Sequence, residues 1–148
     1  MDERGEGMLG VAEAVFPRFT TETRGAMIDR NATIALFARM ADHGVDTERE
    51  LLWGYFFVDP DPETLRSAVP DLLQDGYRLV ALFEAEAAPD DGPAPTWVLH
   101  VERVERHDVD SLDARNQKLN RFAAACGIET YDGMDVGPVD GKPFPKRA

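Results

Sequence analysis

The sequence predicts an α+β sandwich in which two β-α-β units share one antiparallel sheet. Three observations lead there. Residues 52–83 and 97–134 repeat one grammar of apolar strand, amphipathic helix, glycine and strand, hinging on Gly76 and Gly127. At 148 residues, 43% hydrophobic and 9% aromatic, the chain is about one domain long and can bury a core without metal or disulfides. Its one cysteine, Cys126, excludes an intramolecular disulfide and a cysteine-rich zinc site.

Residues 1–30 read as an N-terminal extension with one apolar patch, Val11 to Phe19, interrupted by Pro17 and long enough for a short helix at most. From Asn31 to Asp42, Ile34, Phe37, Met40 and Ala41 fall at helical spacing, and Gly44 suits the C-terminal cap. The run Leu51 to Val58 is apolar throughout and rich in aromatics, which predicts a strand covered on both faces. Asp61 then caps a helix that starts at Pro62 and runs to Asp75, with Leu65, Val69, Leu72 and Leu73 as its inward stripe and a bend at Pro70. After Gly76, Tyr77 to Phe83 reads as the second strand.

Ala87 to Pro95, with three prolines, a glycine and two aspartates, has the composition of a surface loop. Trp97 to Val104 alternates: Trp97, Leu99 and Val101 point one way, His100 and Glu102 toward a wetter face. Asp108 or Asp110 caps the last helix, whose stripe is Leu112, Asn116, Leu119, Phe122, Ala123 and Cys126. Gly127 ends it and Ile128 to Met134 closes the sheet. Residues 137–148 read as a flexible tail, and residues 31–136 as the domain. Parallel strands joined through a helix need right-handed crossovers, so both helices of the repeat lie on one sheet face. That is the ferredoxin-like β-α-β-β-α-β sandwich with an additional N-terminal helix. It leaves the second sheet face to be closed by that helix or by a second copy of the chain in a homodimer.

The formal charge is −12, and residues 46–148 carry most of it, with 21 acids against 11 bases. Such a field repels phosphate backbones, so direct nucleic-acid binding is disfavoured, while solubility and attraction to a basic protein surface are both served. The acidic start, Met1 to Glu6, is unlike a secretory leader, and no apolar run approaches a membrane span. A cytoplasmic location is the simplest expectation.

Reactive constellations do not emerge. Trp53, Tyr55 and Phe57 alternate as a base-stacking platform does, yet Trp97 to Val104 lacks the basic-glycine-aromatic pattern of single-strand RNA readers, and core packing explains the three aromatics better. His43, His100 and His107 show no metal-ligand spacing. The acidic run Glu129, Asp132, Asp135 and Asp140 does not match a calcium loop and reads as a solvated strand end, with Asp132-Gly133 as a turn dipeptide. Cys126 sits in the helical stripe as a structural thiol, and Ser67 and Ser111 have no base at motif spacing. Acids in the first turns of both repeat helices oppose phosphate binding. The expectation is a protein without cofactor or catalytic centre.

Gly44-Val45-Asp46 before an aromatic strand, Asp75-Gly76-Tyr77 closing a helix, and Leu119-Asn120-Arg121-Phe122-Ala123 leading through Gly127 to Tyr131-Asp132-Gly133 resemble the regulator of ribonuclease activity B family. The resemblance covers residues 31–136. It implies an acidic, cytoplasmic, ferredoxin-like protein that inhibits ribonuclease E by binding it, a non-enzymatic modulator of RNA turnover. Tyr131, Asp132, Gly133 and Asp135 are the candidate protein-interaction residues. Two rival readings stand beside it: a small-molecule-binding or catalytic domain using the open sheet face with His100 and Glu102, and an immunity or stress-response protein that neutralises a basic toxin.

Overall fold

The computed structural model describes residues 18–20, 29–85 and 95–147. The expectations for residues 11–17 and for most of the Ala87–Pro95 loop fall outside the described residues. The elements are β1 (Phe19–Thr20), α1 (Arg30–Asp42), β2 (Leu51–Asp59), α2 (Pro62–Gln74), β3 (Arg78–Glu84), β4 (Trp97–Glu105), α3 (Val109–Ala125) and β5 (Thr130–Gly137).

Local chemistry sets the helix ends. Asp29 accepts from Ala32 N at 2.9 Å and opens α1. Asp61 accepts from Glu63 N at 2.9 Å, with Pro62 in the first turn of α2. Asp108 and Ser111 form a reciprocal capping box at the start of α3, with Ser111 N donating to Asp108 Oδ1 at 2.8 Å and Asp108 N donating to Ser111 Oγ at 2.9 Å. Gly76 and Gly127, at φ 99° and 75°, take the left-handed conformation that lets the chain leave α2 and α3 for the sheet. Pro70 lies within α2, which continues through it to Gln74.

The sheet has the order β1-β5-β2-β4-β3, with every neighbouring pair antiparallel. Within the two β-α-β units, the first and third strands are therefore central and the second and fourth flank them. Trp53, Tyr55, Phe57, Leu99 and Val101 are fully buried. Phe37 of α1 lies 5.9 Å from Trp53 and Phe122 of α3 lies 6.1 Å from Phe57, ring centre to ring centre. These aromatics face the helices and form the core, each worth about 1.5–3 kcal/mol of apolar burial. A base-stacking role for them is thereby removed.

Several expectations are corrected. α1 turns Thr33, Leu36 and Met40 inward and leaves Ile34 46% exposed, because it packs beside α3 on the helical layer and is not closing the opposite face. On α2 the buried stripe is Leu65, Ala68 and Leu72, with Leu73 outside. β5 starts later and runs three residues further than Met134. It is an inner strand, paired with β2 on one side and with β1 on the other, so the added residues are held by ladder bonds. Beyond it, Phe144 is buried against Phe19, Asp46 N donates to Pro145 O at 2.8 Å, and Arg147 N donates to Gly44 O at 3.0 Å. Residues 144–147 thus lie against the α1–β2 corner.

Candidate functional site

The Tyr131-Asp132-Gly133 motif lies inside β5, not in a turn. Phe57 pairs with Tyr131 and Tyr55 with Met134, so one extra residue of β5 is fitted opposite Phe56: a β-bulge. Gly133, at φ 102°, supplies the backbone conformation this bulge needs. Tyr131 is 3% exposed, and its hydroxyl donates to Asn116 Oδ1 at 2.7 Å; burial pushes its pKa well above the usual value. Asp135, also buried, takes a two-pronged contact from Arg18, with Nε at 2.9 Å and Nη2 at 2.6 Å. Of the four predicted interaction residues, only Asp132 is half-exposed.

Arg18 and Asp135 belong to a polar cluster on the sheet face away from the helices. Gly54 makes room for it. A Cβ there would stand 2.3 Å from Asp135 Oδ1 and 2.7 Å from His100 Nε2. His100 stacks on Phe56 at 4.2 Å, and burial lowers its pKa against the raising pull of Asp135 and Glu102. Glu102 is paired with Arg78, which also reaches Asp140 at 3.0 Å. The wetter face of β4 is thus filled by ion pairs and a stacked ring.

A second network joins the end of β4 to α3. Tyr55 donates to Glu105 Oε2 at 2.5 Å, and Arg115 Nη1 donates to the same oxygen at 2.7 Å. His107 Nε2 lies 3.1 Å from both Glu105 Oε2 and the Tyr55 hydroxyl, while its Nδ1 lies 2.9 Å from Ser111 Oγ. Arg115 also stands over the rings of Tyr55 and Tyr77, at 5.8 and 5.6 Å. Burial raises the Glu105 pKa, but the bonds from His107 and Tyr55 and the charge of Arg115 outweigh it and bring the carboxyl down to about 2. Sequence spacing concealed this cluster, since its members come from β2, β4 and α3.

Two grooves flank α3. One, of about 430 Å³, is lined by Asp29 and Arg30 of the α1 start, by Asp113, Asn116, Gln117, Asn120 and Arg121, and by Tyr131. The other, of about 540 Å³, lies over His107 and Ser111 and is bounded by Phe37, Thr47 and Glu48. His100 and Glu102 line neither. Cys126 is half-buried at the end of α3, not fully within its stripe, and burial raises its pKa, the opposite of an activated thiol. Among the described residues no three His, Cys, Asp or Glu side chains converge as a metal site, and no helix is long and apolar enough to cross a membrane.

Comparison with curated proteins returns no match. Comparison with family models returns the regulator of ribonuclease activity B over residues 30–136. That span begins at the first residue of α1 and ends within β5, so it takes in both β-α-β units and the helix before them. The chain belongs to the regulator of ribonuclease activity B family.

Proposed function

We propose that the chain is a non-enzymatic cytoplasmic regulator that binds an endoribonuclease of the ribonuclease E type and restrains its action on RNA. Family membership over residues 30–136 carries this reading. The net charge of −12 supports a protein partner with a basic surface over direct contact with RNA. Buried and half-buried acids are engaged in structure: Glu105 with Arg115 and Tyr55, Asp135 with Arg18, Glu102 with Arg78.

On this reading the domain is a ferredoxin-like sandwich with α1 added to its helical layer, and the half-exposed Asp132 is the contact residue of the Tyr131–Asp135 corner. The test is cleavage of a fluorescent RNA by purified ribonuclease E, with and without the chain, at low and high salt. Slower cleavage that weakens as salt rises is expected. Unchanged cleavage at both salts would count decisively against the proposal.

A further inference from the structure

The groove between the start of α1 and the middle of α3 has a floor that is not satisfied. Asn116 is 2% exposed, and Tyr131 takes up its Oδ1. Among the described residues its Nδ2 is left buried without a hydrogen-bond partner. A buried amide donor with no acceptor costs about 1–3 kcal/mol, and native interiors seldom keep one without a use. Neither neighbouring carboxylate accepts from Nδ2. Asp29 caps α1 through Ala32 N, and Asp113 accepts from Gln117 Nε2 at 3.0 Å.

The cations of the groove differ from one another. Arg30 is paired with Asp110 at 2.6 Å. Arg121 is exposed and makes no ion pair among the described residues. Two acids and two bases line the groove, so within a strongly acidic molecule it is a locally neutral spot where an incoming anion meets a guanidinium without an ion pair among the described residues and the buried amide of Asn116. Asn120-Arg121 and Tyr131, separated in the chain by the end of α3 and Gly127, meet here.

We propose that this groove receives a carboxylate, the acidic side chain of an aspartate or glutamate on the protein partner, to which Asn116 Nδ2 and Arg121 donate. The proposal rests on the protein-binding reading above and gives it a site distinct from the Asp132 corner. Its volume of about 430 Å³ suits one side chain with its flanking backbone. Nδ2 is closed to solvent in the structure, so the carboxylate displaces a lining side chain to reach it; Gln117 and Arg121, both exposed, are the movable ones.

The experiment uses the full chain labelled with ¹⁵N and three probes: the N-acetyl amides of glutamate, glutamine and lysine. The glutamate probe is expected to shift the Asn116 side-chain amide pair and the Arg121 Nε–H signal, the glutamine probe to do so more weakly, and the lysine probe not at all. Arg121→Gln, on an exposed side chain, should weaken the glutamate response by about tenfold while leaving the melting temperature unchanged. No movement of the Asn116 amide with either acceptor probe overturns the site, and a glutamine response equal to the glutamate response overturns the choice of an acid.

The ribonuclease assay separates this proposal from the one it rests on. Inhibition lost in Arg121→Gln and kept in Lys118→Gln, an exposed α3 residue outside the groove, supports the site. Equal inhibition by parent and Arg121→Gln overturns the groove and leaves the regulator. A parent that does not inhibit overturns the regulator, and the probe titration still decides whether the groove takes a carboxylate.

Discussion

Glu105→Gln is the most informative single change, because it removes a charge and almost nothing else. The carboxyl holds a pKa of about 2 in the folded chain against an ordinary 4.5. At about 1.4 kcal/mol per unit that gap corresponds to about 3 kcal/mol, and screening by the water that still reaches the group brings the expected figure to about 2 kcal/mol. The folded pKa is depressed, so this stabilisation is fully present above pH 4.5 and fades as pH falls toward 2. Urea unfolding of parent and Glu105→Gln at pH 7, 4 and 2.5 measures the difference directly. Other acids titrate in the same range, but they do so in both proteins and cancel. The variant should be less stable by about 2 kcal/mol at pH 7, and the gap should shrink steadily toward pH 2. A difference that stays constant with pH would refute the charge argument and make the loss one of shape alone.

Other outcomes follow from single contacts. Asp59 is buried and accepts from Asp61 N at 2.9 Å and Glu129 N at 2.8 Å, tying the end of β2 to the start of β5; Asp59→Ala should cost about 2–3 kcal/mol by thermal unfolding, for two orphaned amides. Gly54→Ala would drive a methyl into Asp135 and His100, costing about 1–3 kcal/mol and shifting the His100 ring signals. Gly127→Ala meets no atom within 4 Å, so its cost should be the left-handed backbone alone, about 1–2 kcal/mol; a larger loss would point to packing at that corner. Asp132→Ala should leave the melting temperature within a degree of the parent and weaken ribonuclease inhibition, whereas a drop in stability would make the Asp132 side chain structural and not a contact residue.

The order of elements was legible because its signals are local: aspartates ahead of Pro62 and Val109, glycines at Gly76 and Gly127, an unbroken apolar run for the doubly covered β2. Facing was harder for α1, whose apolar residues are spread around the helix, so Ile34 and Leu36 compete for the core until α3 chooses between them. The bulge at Asp132-Gly133 was hidden for another reason. It exists only relative to Phe56, a residue far away in the chain, and without that partner the dipeptide reads as a turn. Tyr131 was singled out as an interaction residue, but what it does inside the protein, holding Asn116, depends on α3 crossing above it. Glu105 and Arg115 carried no sequence signal, since a charged strand end and a charged helix residue are ordinary until the fold stacks them over Tyr55.

The central strand β2 has a kinetic consequence. Its only two ladder partners, residues 97–105 and 130–137, are both synthesised after it. During translation, therefore, the stickiest segment of the chain, Leu51 to Val58, emerges from the ribosome long before anything can pair with its edges. High contact order of this kind slows folding and prolongs the lifetime of an aggregation-prone intermediate. Until β5 arrives the nascent chain depends on holding factors or on the β3–β4 hairpin as a provisional shelter, and expression of this protein should respond to chaperone supply more than its native stability suggests.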